Sequence, residues 1–148
     1  MYISPECIEP LRGEVESIVK EQGWTKASMF NMRKLDSFLR EAQRFGGFST
    51  SEDPSVFNNQ IAGLHILVVM ERKALKDFTF SDGTFIPKGT HVAAIVGPVN
   101  VDEKIYEDPL TFKPFRFAES REGADAVKNQ MVTTSLQNLI FGHGRHAW

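Results

Sequence analysis

FGHGRHAW, Phe141 to Trp148, is the stretch from which the rest of this chain is read. Gly142 and Gly144 allow positive φ and let the backbone approach a flat ligand closely. Phe141 adds a ring, and His143, Arg145 and His146 add three potential cations or donors. Such a loop suits an acidic, planar cofactor. Its last residue, Trp148, carries an indole whose nitrogen only donates and has no lone pair suited to a metal. His143 and His146 supply at most two metal ligands where a structural zinc takes four, so no metal site is expected.

Upstream, Lys113 to Phe117 (KPFRF) set Arg116 between two rings. Those flanks predict a partly buried guanidinium that needs a carboxylate or carbonyl partner. Further back lies ERKALKDFTFSDGTFIPKGTHVAAIV, Glu71 to Val96. Phe78 and Phe80 alternate with polar residues, Ser81-Asp82-Gly83 signals a turn, and Phe85-Ile86 resumes a strand. Pro87-Lys88-Gly89 supplies a second turn before the β-branched run Val92 to Val96. A hairpin followed by a further strand is predicted, with an apolar strand, Leu64 to Met70, ahead of it. Between that strand and Gly47 stands Phe48 to Gly63, 16 polar, turn-rich residues.

The front of the chain is helical. Ile8, Leu11, Val15, Ile18 and Val19 recur at helical spacing, with Pro10 placed in a first turn and Gly23 as the stop. A second stripe, Met29, Met32, Leu35, Phe38, Leu39, Ala42 and Phe45, predicts one helix closed by Gly46 and Gly47. Each helix must bury a face. Within the second, Glu41 and Arg44 form an ExxR pair that can meet at i, i+3, worth only about 0.2–0.5 kcal/mol if exposed.

Composition excludes more than it assigns. At 148 residues the chain fits one domain or a piece of a larger one, and 41% hydrophobic content is enough for a core. A net charge of −2 argues against a nucleic-acid surface. No apolar run approaches a membrane span, and no signal segment follows Met1. The single cysteine, Cys7, excludes an internal disulfide framework.

The glycine loop resembles the ligand loop of the haem-thiolate monooxygenases, the cytochromes P-450, with pattern FxxGx(R/H)xC. Phe141, Gly144 and His146 fill its first three fixed places, and Trp148 stands where the family has the cysteine that binds haem iron. Glu41, Arg44 and Arg116 match the family's Glu–Arg–Arg network, which joins an ExxR helix to a PxRF segment. The DGxxIPKGT run, here Asp82 to Thr90, is similar to the β section of fungal members, and VDEKIYEDPLTFKPFRF resembles the link that follows. The resemblance covers nearly the whole chain from about Tyr2 and is closest to the microsomal type of fungal secondary metabolism.

That resemblance implies an α+β fold: a fragment of the mostly helical cytochrome P-450 domain, with two amphipathic helices, a small antiparallel β section and a long coil to the haem loop. Residues 1–148 would be one partial domain, with Phe48–Gly63 an insert, either a true loop or a translated intron. Haem is the cofactor implied, held by Arg72 and His146 at its propionates and by the loop residues Phe141 and Gly144. Two readings of Arg72 stay open: propionate partner, or a solvated strand end beside Lys73 and Lys76. The family inserts one atom of O2 into a small organic substrate, with electrons from NADPH through a cytochrome reductase at the endoplasmic reticulum membrane.

With Trp148 at the ligand place, and the oxygen-activating helix and membrane anchor expected to lie outside this chain, the fragment is expected to be inactive alone, not to hold haem stably, and to be soluble or cytoplasmic. No catalytic residue is assigned. The alternative is a non-catalytic interaction module presenting Leu35, Phe38 and Phe45 with Phe112, Phe115 and Phe117 to a partner.

Overall fold

A computed structural model describes residues 5–46, 68–119 and 127–146. The stretch Phe48–Gly63, the first part of the apolar run from Leu64, and Trp148 lie outside the described residues. The chain divides into two compact units. A helical unit comprises Met1–Gly46 and Leu110–Thr133, and a β unit comprises Gly47–Pro109 and Thr134–Trp148.

In the helical unit, α1 runs from Pro5 to Gln22. Gly23 stops it at φ 64°, its N–H donating to the Val19 carbonyl at 2.9 Å. Pro10 is not in the first turn as expected. The helix starts five residues upstream of it, so the ring sits in the second turn and removes one ladder bond near an end where several N–H groups lack partners anyway.

The predicted second helix is two. Helix α2 spans Lys26–Asn31 and α3 spans Arg33–Gly46, broken at Met32 (φ −75°, ψ 72°). The two helices are capped separately, α2 by its own residues and α3 from α1. Thr25 and Ser28 form a reciprocal capping box, Ser28 N–H to Thr25 Oγ1 at 3.0 Å and Thr25 N–H to Ser28 Oγ at 2.8 Å. The break also frees the first turn of α3 for Glu14 of α1, whose two carboxylate oxygens accept from the Lys34 and Leu35 N–H groups at 2.9 Å each. An anion there satisfies orphan donors and complements the helix dipole. Met32 itself is 2% exposed, so the residue at the break is also a core residue.

Helix α3 is the spine of this unit. Phe112 packs edge-on against Phe38 and Phe45, centroids 5.8 Å away in both cases. Each such pair adds about 0.5–1.5 kcal/mol beyond burial. Of the six residues in the interaction-module reading, Phe38, Phe45 and Phe112 pack on one another and Phe117 is buried.

In the β unit, β1 (Val68–Lys73) pairs antiparallel with β4 (His91–Ile95). The strand runs past the expected end at Met70, because Glu71, Arg72 and Lys73 pair with Ala93, Val92 and His91 through backbone bonds that need no apolar side chains. Between them β2 (Phe78–Thr79) and β3 (Phe85–Ile86) form the expected hairpin. Its turn is held by the Thr84 N–H on the Asp82 carboxylate at 2.9 Å. Hydrogen bonds from Thr84 hold that carboxyl below its usual value. Gly89, at φ 90°, donates to the Ala74 carbonyl at 2.7 Å and delivers β4 back to β1.

The expected long coil contains a one-turn helix, α4 (Gly97–Asn100), with Pro98 in its first turn. Tyr106 is buried and donates its hydroxyl to the Gln137 carbonyl at 2.9 Å, which ties the segment after α4 to the approach of the glycine loop. Among the described residues, no helix is long and apolar enough to cross a membrane.

Candidate functional site

The glycine loop takes the shape its residues allow. Gly142 (φ 77°) donates to the Leu139 carbonyl at 2.9 Å, and Gly144 (φ 79°) opens a short 3-10 turn, Gly144–His146. At such angles a side chain would be strained, so the loop needs glycine at both places. The turn leaves His143 and Arg145 exposed on either side of Gly144.

Those two side chains line an open groove of about 520 Å³ together with Arg72 of β1, Phe80 of the hairpin and Val92 to Ala94 of β4. Its wall is apolar where β4 presents Val92 and Ala94, and basic where Arg72, His143 and Arg145 stand. Arg72 is exposed, with Nη1 donating to the neighbouring Glu71 carbonyl at 2.7 Å. Of the four residues proposed from sequence to hold a cofactor, Arg72 lines the groove directly. Gly144 acts through backbone shape, between two lining residues, and Phe141 is half-buried in the same loop without lining it. The backbone of His146 ends the 3-10 turn; its side chain lies outside the described residues.

Sequence reasoning grouped His143, Arg145 and His146 as potential cations or donors and singled out His146, whereas His143 and Arg145 are the two that line the groove. Their signal was present: two basic residues flanking a glycine that must take positive φ.

In the helical unit, Glu41 is fully buried and Arg44 is 5% exposed. Arg44 grips the carboxylate bidentately, Nε to Oε2 and Nη2 to Oε1, both at 2.8 Å. Arg116 Nε reaches both carboxylate oxygens at 3.1 Å, and its Nη2 donates to the Thr111 carbonyl at 2.9 Å. A further donor, the Lys113 N–H, lies 3.0 Å from Oε1. Burial alone would push the Glu41 carboxyl up; the bonds from Arg44, the Lys113 N–H and Arg116 together outweigh it and hold the group below the ordinary carboxylate value.

Two companions of this network carry no sequence motif. Ser37, fully buried one turn before Glu41, donates to the Pro114 carbonyl at 3.1 Å and accepts from the Phe117 N–H at 3.0 Å. Arg40 lies over the Phe117 ring at 4.3 Å. Ser37 could have been found as the i−4 neighbour of Glu41 on one helix face. The Lys113 N–H could not, because a backbone donor has no residue signature.

The basic groove and the buried network belong to an α+β fragment of helices and small antiparallel sheets that ends in a glycine loop. The Cytochrome P-450 family profile matches residues 64–147. Cytochrome P-450 monooxygenase 71 of Postia placenta is 45% identical over 143 residues, 97% of this chain and 25% of the relative. Cytochrome P-450 monooxygenase CYP512U6 of Ganoderma lucidum is 37% identical over 145 residues, again 97% of this chain and 25% of the relative. The structure of retinoic acid bound cyanobacterial CYP120A1 superposes with a TM-score of 0.54 at 21% identity, covering 97% of this chain and 27% of that one; it shares the fold. The chain belongs to the cytochrome P-450 family, and it spans about a quarter of the length of the relatives it matches.

Haem is the group this family implies, and the residues present fit it only in part. Arg72 and Arg145 suit an anionic edge, and β4 offers an apolar wall. The iron side does not fit. No thiolate stands among the described residues lining the groove, and Cys7 is buried in α1 of the helical unit.

Proposed function

We propose that this chain is the scaffold portion of a haem-dependent monooxygenase of fungal secondary metabolism and that it does not turn over alone. The complete domain would insert one atom of O2 into a small organic substrate, with electrons from an NADPH-dependent reductase at the endoplasmic reticulum membrane. The fragment alone would be a soluble protein. Residues 1–148 are taken together as one partial domain, with Phe48–Gly63 a true loop or a translated intron. Arg72, Phe141, Gly144 and His146 would form its cofactor side; Glu41, Arg44 and Arg116 would lock its helical side.

Trp148 is the observation that carries this reading of activity. Thiolate ligation pushes electron density onto iron and favours O–O cleavage, and an indole offers no such lone pair. The purified chain, mixed with haem, reduced and exposed to carbon monoxide, should lack the red-shifted Soret band of a thiolate-ligated haem. A thiolate-type spectrum would overturn the proposal and identify Cys7 as the sulfur source if Cys7→Ser removed it.

A further inference from the structure

The helical unit carries a corner that neither the buried network nor the groove uses. From Lys20 to Lys34 the exposed charged residues are Lys20, Glu21, Lys26, Arg33 and Lys34, four cations against one acid in a chain whose net charge is −2. The neighbouring carboxylates of Glu14 and Asp36 are engaged by backbone N–H groups, of Lys34 and Leu35 and of Met131. Trp24, Met29 and Phe30 are 72%, 56% and 46% exposed. Local geometry gathers them. Trp24 and Met29 hold the N′ and N4 positions around the Thr25 cap, the pair of a hydrophobic staple. Lys26, Met29 and Phe30 share one face of α2 at i, i+3 and i+4, while Ser28 is fully buried. The Asn31 amide donates to Gln22 Oε1 at 3.0 Å and ties α2 to the end of α1.

We infer that this corner docks the helical unit, peripherally and reversibly, on an anionic phospholipid surface. The excess of cations complements acidic headgroups, and the attraction acts over about a Debye length. An indole, a phenyl ring and a thioether projecting beside a turn need no matching pocket in a fluid interface, where tryptophan rings settle at headgroup depth. Lysine stems can lie along the same apolar surface and keep their ammonium groups in water. Either signal alone binds marginally, so the exposed rings and the cations are both required. Among the described residues no helix is long and apolar enough to cross a membrane, which makes this a surface contact.

The test is co-sedimentation of the full chain with vesicles of phosphatidylcholine containing about 30% phosphatidylserine, against vesicles of phosphatidylcholine alone. Binding should be at least about tenfold tighter to the acidic vesicles and should weaken as salt is raised. Lys26→Gln should weaken it about fivefold, whereas Lys104→Gln, at an exposed lysine outside the corner, should leave it unchanged. Brominated lipid should quench the tryptophan emission of the parent and not that of Trp24→Phe. Equal binding to both vesicles, no binding at low salt, or quenching that persists in Trp24→Phe would overturn the inference. Release of the chain from vesicles by soluble polyglutamate at matched charge would overturn it too, assigning the corner to an acidic protein. The vesicle comparison uses the parent chain, so it decides the matter even if a variant misfolds. The carbon monoxide spectrum bears on the proposed function alone, so the two readings fail separately.

Discussion

Arg44 in the helical unit and Arg72 in the β unit show the same residue type in opposite roles. Arg44 is buried, gripping a buried carboxylate with two bonds of 2.8 Å. Arg72 is exposed at the end of a strand, its Nη1 on the adjacent Glu71 carbonyl and its side chain lining an open groove. One ion pair is closed upon the protein, and the other cation faces outward. Buried charge networks break at high cost when a member is lost, while exposed cations contribute little to stability and are left available to a ligand.

The comparison breaks most visibly at Glu41. Glu41→Ala should cost about 3–5 kcal/mol, because it strands two guanidiniums and the Lys113 N–H in the interior. Glu21→Ala, at an exposed site near the end of α1, is the matched control. A denaturation midpoint for Glu41→Ala close to that of Glu21→Ala would show that the network carries no stability. The same residue gives the sign of the acid response. Its native pKa is depressed, so its contribution is present above the ordinary carboxylate range. That contribution declines as pH falls below that range and is gone once pH drops beneath the native value.

A smaller effect sharpens the picture within the helical unit. Ser37→Ala removes a hydroxyl that serves the Pro114 carbonyl and the Phe117 N–H at once. Leaving those backbone groups unpaired in the interior should cost about 1–3 kcal/mol, whereas exposed Ser17→Ala in α1 should be near neutral. Equal unfolding midpoints for the two variants would mean that water or a local shift replaces the Ser37 hydroxyl.

What was legible in the sequence follows from how local each signal is. The β2–β3 hairpin and both of its turns were readable because turn chemistry is fixed by neighbouring residues. Glu41, Arg44 and Arg116 were readable as a set because the ordered ExxR and PxRF segments name them. The break at Met32 was not, since an apolar stripe continues through it and the cap on α3 comes from Glu14, on another helix. Nor was the role of Arg145: the residue was visible, but which basic side chain of the loop reaches the groove is decided by the positive-φ geometry at Gly144 and the turn that follows.

The smallest expected effect on stability is at Arg72, and it decides whether the two units divide labour as described. Its guanidinium is exposed and donates to the carbonyl of the residue beside it, a contact that water can replace. Arg72→Ala should therefore shift stability by no more than about 0.5 kcal/mol, the range of ordinary surface changes. The backbone pairing of Arg72 with Val92 survives the substitution, so the β1–β4 ladder has no reason to loosen. The variant is informative for that reason: weaker haem uptake than the parent, in a protein that unfolds at the parent's denaturant midpoint, assigns the side chain to the proposed cofactor side. A midpoint lowered as far as by Glu41→Ala would place Arg72 among the structural arginines instead, and the contrast between the two units would collapse.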